Sequence, residues 1–469
     1  MTILSLAIFT ALFAILAWKR LDWALLLLIA SLPAYLIRFK ILGLPATLLE
    51  LMILISFMVW LIKDFIPRYK TFFSNPKGRI PYPFSWEIIL VLIISWSAVW
   101  VAGFNASALG IWKAYFFEPI LLFILIFNVF KSWTEARKIL WSLLLSAAAV
   151  SIFAIFQKLT GLFISNPFWA AEGTRRAVSF FGYPNAVGLY LAPLTMLFSG
   201  WLLSYDWQNA RSRYLEKSLI VLTILSSLLA IYSARSEGAL IGIIAALFAF
   251  GLLAGRKQRL AVIIFGVVII AGTFLSAPTK DFIFTKLSLR DLSGQIRLQQ
   301  WRETWQMLGD GKLVSGTGLS QYQSAIKPFH QEGIFFNRDN LPNFGTITYA
   351  SSTLRAKYWQ PVEIYMYPHN IFLNFWTELG IFGALLFIWL IARYLLTALR
   401  LTNELRAKDS RDRYLTLGLL SAMIAIVVHG LVDVPYFKND LSAMFWILFA
   451  LLGILNISRH RKDAPEAIN

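Results

Sequence analysis

Thirteen mostly apolar runs constrain this chain more than any other feature. Each is near the about 20 residues that a helix needs to cross a bilayer. They cover residues 3–17, 21–37, 48–62, 86–102, 112–130, 139–157, 186–204, 218–233, 237–254, 260–276, 370–396, 414–434 and 441–457. Only Trp18, Lys19 and Arg20 separate the first two, which are short, so a tight hairpin or a re-entrant piece is an alternative there. The expected count is twelve to fourteen spans. A water-soluble fold is excluded: 58% of the 469 residues are hydrophobic and 14% are charged, against roughly 45–50% and 25% in soluble domains. Such a surface could not be covered with polar groups, and disorder is excluded by the same numbers. The expected fold class is all-α, a polytopic integral membrane bundle.

The net charge of +18 raises the question of nucleic acid, but the distribution of the charge answers it. With the connections alternated, the loops on one side, together with the C-terminal tail, hold 24 Lys and Arg. The short loops on the other side hold 7. Positive charge marks the cytoplasmic side, so the N-terminus is expected outside and the C-terminus inside. The charge is a topology signal, and no nucleic-acid partner is expected. The first apolar run has no basic stretch ahead of it, which speaks against a cleaved signal peptide.

The organisation follows from the spans. Residues 1–170 read as N-terminal transmembrane helices, and 171–276 as core transmembrane helices. Residues 277–369 form one long outer connection, 370–457 the C-terminal transmembrane helices, and 458–469 a cytoplasmic tail. A loop as long as 277–369 is usually functional when it is not disordered. It contains an amphipathic stretch from Gly294 to Gly309, with Leu298, Trp301, Trp305 and Leu308 at helical spacing. It reads as a small, mainly helical lid on the outer face.

Topology also sorts the polar residues. Arg175, Arg176, Asn185, Arg235, Arg297, Arg302, His369, Asn370, His429 and Asp433 fall on outer loops or at outer span ends. Ionisable groups at membrane depth are costly and usually functional. Cations gathered on the outer side run against the positive-inside bias and suit a phosphate or pyrophosphate, which Arg forks bind bidentately. Each has a plainer reading. Arg235, in a very short connection, could snorkel or pair with Glu237. Arg302 could sit on a solvated helix face. Pro184-Asn185 could be a helix cap. His369, at the start of a span, could accept a proton from a hydroxyl or only bond to backbone. His429 and Asp433, four apart, would share a helical face and satisfy each other. With no Cys and four His, disulfides are impossible and no metal centre is expected. No nucleotide-binding or zinc-protease motif is present.

Several stretches carry a family resemblance. They are Arg176 to Asn185 (RAVSFFGYPN), Ser233 to Ala239 (SARSEGA), and Arg297-Leu298-Gln299-Gln300-Trp301 followed by Gly316-Thr317-Gly318-Leu319-Ser320-Gln321-Tyr322. They continue with Pro368-His369-Asn370-Ile371-Phe372-Leu373, Glu378-Leu379-Gly380-Ile381-Phe382-Gly383, and His429 to Pro435. In order and spacing the chain resembles the O-antigen ligase and O-antigen polymerase family of bacterial polytopic glycosyltransferases. One departure concerns the family's Ser-Arg-Gly-Ala helix start. Aligned on Ser236-Glu237-Gly238-Ala239, Glu237 replaces the Arg; aligned on the Arg, Arg235 sits one residue further from the Gly. Arg235 is preferred, because a carboxylate would repel pyrophosphate.

The resemblance implies a GT-C-like, metal-independent glycosyltransferase without a cofactor, in the bacterial cytoplasmic (inner) membrane. Its donor would be a glycan on undecaprenyl pyrophosphate, and its acceptor a hydroxyl of a glycolipid or glycan. His369 would be catalytic. Arg176, Arg235, Arg297, Arg302 and Asn370 would bind substrate. Ligase and polymerase are both compatible with these motifs. A transporter or flippase of the lipid-linked glycan is the rival from another class, and it would place polar groups along a whole transmembrane path.

Overall fold

The sequence makes its membrane helices from Leu, Ile, Phe, Ala and Val runs, since in lipid every backbone polar group must be bonded within the segment. The computed structural model describes residues 3–41, 44–67, 82–206 and 213–463. Every one of the thirteen expected runs falls on a helix. These are α1 (Ile3–Lys19), α2 (Leu21–Ala30), α3 (Leu48–Trp60), α4 (Ser85–Val101), α5 (Ala106–Val129), α6 (Trp133–Thr160), α7 (Asn185–Leu203) and α8 (Tyr214–Ala234). Then come α9 (Glu237–Ala254), α10 (Arg256–Leu275), two helices of the long connection, α11 (Ala277–Leu287) and α12 (Leu292–Met307), and finally α13 (Ile371–Ala407), α14 (Asp412–His429) and α15 (Asn439–Asp463). Nine of the described helices are long and apolar enough to cross a membrane, and α1, α2 and α4 are shorter apolar helices. The chain is thus an all-α polytopic membrane protein.

Three helix ends differ from the expected runs. The second run is helical only to Ala30 and then tightens into a 3-10 turn, Leu32–Leu36, with a proline near its start. The last helix continues to Asp463, so half of the expected tail is helix; residues 464–469 lie outside the described residues, as do 68–81 of the connection expected at 63–85. The run expected to reach 434 stops at His429, where the Gly430 carbonyl accepts from the Ile371 N–H (2.7 Å).

The bundle closes tightly around α7 and α14. Gly200 and Gly418 face each other so closely that a Cβ on Gly200 would stand 2.4 Å from the Gly418 Cα. Small residues of this kind let two membrane helices approach without a hydrophobic driving force. α7 and α15 are the most enclosed spans, and α10 is almost wholly peripheral.

The 277–369 connection is mainly helical, as expected, with one antiparallel strand pair, β1 (Gly333–Phe335) and β2 (Trp359–Pro361). Its amphipathicity differs from the expected stripe. Gln299, Gln300, Glu303, Thr304, Met307 and Leu308 are buried, whereas Trp305 is half-exposed and packs edge-on to Trp376 (5.1 Å). The polar groups can turn inward because Glu303 is satisfied: it accepts from Gln299 Nε2 (3.0 Å) and the Gln331 N–H (2.9 Å) and faces His330 Nδ1 (3.3 Å).

Gly316-Thr317-Gly318 anchors this segment to the bundle. α13 breaks at Gly380 (φ 76°, ψ −177°), so the Thr377 carbonyl accepts from the Thr317 N–H (2.7 Å) and the Ile381 N–H donates to the Val314 carbonyl (3.1 Å). Buried Glu378 accepts from the Ser320 N–H (2.7 Å). Only glycine adopts the Gly380 conformation readily, and a Cβ there would lie 2.2 Å from the Val314 carbonyl oxygen. Gly380→Ala is expected to destabilise the fold by at least about 1–3 kcal/mol, read as a lowered thermal midpoint of the detergent-purified protein. An unchanged midpoint would remove this anchor from the account.

Candidate active site

The chain brings together residues from four connections at one end of the bundle. They line a cavity of about 360 Å³, within the size range of small-ligand sites. Arg176, Arg235 and Arg297 stand in its wall with Asn185, Glu237, Lys286, Asp291, His429 and Asp433.

Each Arg is delivered differently. Arg176 precedes α7 and is half-buried. Its Nε donates to the Ala234 carbonyl (2.9 Å), and its Nη2 to Asn185 Oδ1 (3.1 Å) and the Arg235 carbonyl (3.3 Å). Arg235 terminates α8 in the left-handed region (φ 50°) and is exposed. Its side chain makes no hydrogen bond or ion pair to a described residue, so the alternative of pairing with Glu237 does not hold. Arg297, on α12, donates from Nε to the Val432 carbonyl (3.0 Å) and from Nη1 to Ser293 Oγ (2.8 Å). Burial, then the like charge of Arg235, depress the Arg176 pKa, with Glu237 opposing. Two neighbouring guanidiniums, without a carboxylate of a described residue bonded to either, leave a place for an anion.

Glu237 is occupied elsewhere. Lys286 Nζ donates to both its oxygens (2.9 and 2.8 Å) and to Asp291 Oδ2 (2.9 Å). Burial pulls the Lys286 pKa down, but these hydrogen bonds prevail and hold it above the ordinary value. The cluster ties α11 and the start of α12 to α9 and pairs the Glu237 charge with a cation in the cavity wall. Nothing in the sequence links positions 237 and 286.

His429 and Asp433 do not share a helical face, because α14 ends at His429 and Asp433 lies in the following turn. Gly238 admits the His429 ring: a Cβ there would meet its Cδ2 at 2.6 Å. Asp433, 1% exposed, joins three elements. Its Oδ2 accepts from Asn185 Nδ2 (3.2 Å), its Oδ1 accepts from the Val434 N–H (2.9 Å), and Oδ1 stands 3.7 Å from His369 Nδ1. Burial pushes the Asp433 carboxyl up, but His369 and His429 beside it, with the Val434 N–H, hold it at about 2. Asn185 is therefore no cap: it bridges Arg176 to Asp433.

His369 stands behind Asp433 and does not itself line the cavity. Its backbone is in the left-handed region (φ 45°). Its ring sits edge-on between Tyr365 and Tyr367, each at 5.1 Å, and its Nδ1 has no hydrogen-bond partner among the described residues. Trp301 Nε1 donates to the Pro368 carbonyl (2.8 Å) and holds this turn on α12. Asn370 is engaged at both polar atoms: Oδ1 caps α13 by accepting from the Leu373 N–H (3.0 Å), and Nδ2 donates to the Leu431 carbonyl (3.1 Å). It fastens His369 to the turn that carries Asp433. Arg302 is exposed and lies outside the cavity wall. Arg175 is turned to the carbonyls of Lys158, Leu159 and Ala170.

Residues 222–388 match a family model described as O-antigen ligase. The matched region holds Arg235, Arg297, Arg302, His369 and Asn370; Arg176, Asn185, His429 and Asp433 lie outside it. No curated protein matches the chain.

Proposed function

From the match of residues 222–388 to an O-antigen ligase family model, we propose that the chain is a membrane enzyme of the ligase or polymerase type that transfers a glycan from undecaprenyl pyrophosphate to an acceptor hydroxyl. The observation that carries this reading is the convergence of Arg176, Arg235 and Arg297 on one cavity at a helix end. The Lys and Arg bias of the loops supports an N-terminus outside, a C-terminus inside, and a cavity on the extracytoplasmic side of the inner membrane.

In this reading the pyrophosphate sits among the three Arg forks. The acceptor oxygen attacks the anomeric carbon as the bond from that carbon to the pyrophosphate oxygen breaks. His369 takes the acceptor proton on Nε2, while the Asp433 carboxylate faces Nδ1 and supports the charge that develops on the ring. The Arg groups stabilise the charge gathering on the leaving pyrophosphate. Tyr365, beside His369, is within electrostatic reach of Arg297, which supports a base and an anion site on adjoining sides of one centre. Direct displacement inverts the anomeric configuration. Asn370 acts by positioning His369, Arg302 meets the glycan on the outer face of α12, and the 277–369 segment closes over it. Gathering of the cations at one end of the bundle favours chemistry over transport along a path.

The test is reconstitution with a polyprenyl-pyrophosphate oligosaccharide and a panel of glycan and glycolipid acceptors, read by mass spectrometry. Release of polyprenyl pyrophosphate with a glycosylated acceptor is expected. A product lengthened on its own lipid carrier would make the enzyme a polymerase. Donor movement across the liposome without transfer would overturn the enzyme reading.

A further inference from the structure

The opposite end of the bundle holds a second basic cavity that the transfer chemistry does not use. It measures about 220 Å³ and lies between the α6 start, the α7 end and the α8 start. Trp201 lines it and Asn185 lines the first cavity, both on α7. Sixteen residues of helix put them about 24 Å apart, close to the about 30 Å hydrocarbon thickness. The second cavity is therefore at the interface of the other leaflet, on the side carrying the Lys and Arg excess. Its aromatic walls, Trp141 edge-on to Trp201 (4.9 Å) and Tyr205 (6.2 Å from Trp201), suit that depth.

Two of its donors, Trp201 and Arg137, lack acceptors among the described residues. The Trp201 side chain is 1% exposed, and its indole N–H has no hydrogen-bond partner among the described residues. A buried N–H without an acceptor is costly. Arg137 is half-buried with its guanidinium 5.8 Å from the Tyr205 ring centroid, and it donates no hydrogen bond to a described residue. Lys138 and Arg213 add positive charge. The single lining carboxylate, Glu216, is already engaged by the Tyr205 hydroxyl (2.8 Å) and by Arg213 (3.8 Å). A basic pocket between spans with an unused N–H calls for an anion with several acceptor oxygens.

We propose that this cavity binds the phosphate of an anionic phospholipid headgroup, with Arg137 and the Trp201 indole N–H as its donors. A free phosphate offers the same oxygens, but the interfacial depth and the aromatic walls favour the lipid.

The test uses the full chain, delipidated in detergent, with native mass spectrometry and thermal unfolding. Phosphatidylglycerol, phosphatidylcholine and inorganic phosphate are the three probes. Phosphatidylglycerol is expected to be retained over phosphatidylcholine and to raise the midpoint. Arg137→Gln is expected to weaken phosphatidylglycerol binding about fivefold, and Trp201→Phe, which keeps the ring and removes the N–H, about tenfold. Neither should abolish glycosyl transfer, so failure here and failure of the transferase reading are separable. Equal retention of both lipids, or unchanged binding in Arg137→Gln, overturns the proposal. Protection by inorganic phosphate equal to that by phosphatidylglycerol overturns the lipid as the source. Should Trp201→Phe not fold, Arg137→Gln, at the partly exposed rim, decides alone.

Discussion

His369→Ala lowers kcat by about 10²–10⁴-fold, the range that a positioned general base supplies, with little change in donor KM. The expectation rests on how the imidazole is held. A left-handed backbone at position 369, the Trp301 bond to Pro368, and the Asn370 bonds on either side fix the turn opposite Asp433. Asp433→Asn is expected to cost on the order of 10²-fold, because an amide can donate to Nδ1 and so favour the wrong tautomer. The pH dependence of Asp433 follows from its surroundings. The folded pKa of Asp433 is depressed to about 2, below its ordinary value near 3.9. Its contribution to stability is complete above that ordinary value and is lost as pH falls through about 2. Across pH 5 to 8 Asp433 therefore stays ionised, and its own titration does not change the rate in that range. Measured kcat against pH, for the parent and Asp433→Asn, checks this. Full turnover by His369→Ala removes His369 from the chemistry.

The spans were legible because membrane helices answer to one local rule: an apolar run of sufficient length has no other stable fate in lipid. The same rule misplaced helix ends. At His429 the apolar run continues, but the helix stops because the Gly430 carbonyl is taken by the Ile371 N–H from a distant helix. That non-local bond moved Asp433 off the face it would have shared with His429. The sequence motifs separated into two kinds once folded. Arg176, Arg235 and Arg297 meet in one cavity, whereas Gly316-Thr317-Gly318 and Glu378-Leu379-Gly380 join the long connection to the bundle. A charge or a glycine looks the same in sequence whichever duty it has. Lys286 was missed as a cavity residue, and Asn185 could be read as a helix cap, for a related reason. Their partners, Glu237 and Asp291 for one and Arg176 and Asp433 for the other, are read from contacts between elements.

Arg235→Ala and Arg297→Ala are each expected to lower kcat by about 10²–10³-fold, the loss that follows removal of one preorganised donor from a developing oxyanion. The two should differ under conservative replacement. Arg235 is uncommitted, so its whole fork can face the pyrophosphate; Arg235→Lys keeps the charge but loses bidentate geometry and recovers only part of the rate. Arg297 already spends Nε and Nη1 on Val432 and Ser293. Arg297→Lys loses both of those bonds, so it should lower the thermal midpoint as well as the rate. Arg302→Ala provides the contrast: exposed and outside the wall, it is expected to raise acceptor KM and leave kcat near the parent value. The physical point is that a binding contact present equally in ground and transition states changes KM, whereas one that strengthens as charge moves onto the leaving group changes kcat. Rate constants for the five variants with one donor and one acceptor decide it. Equal KM effects and unchanged kcat throughout would make the arginines a docking surface for the donor and would leave the leaving-group chemistry to other residues.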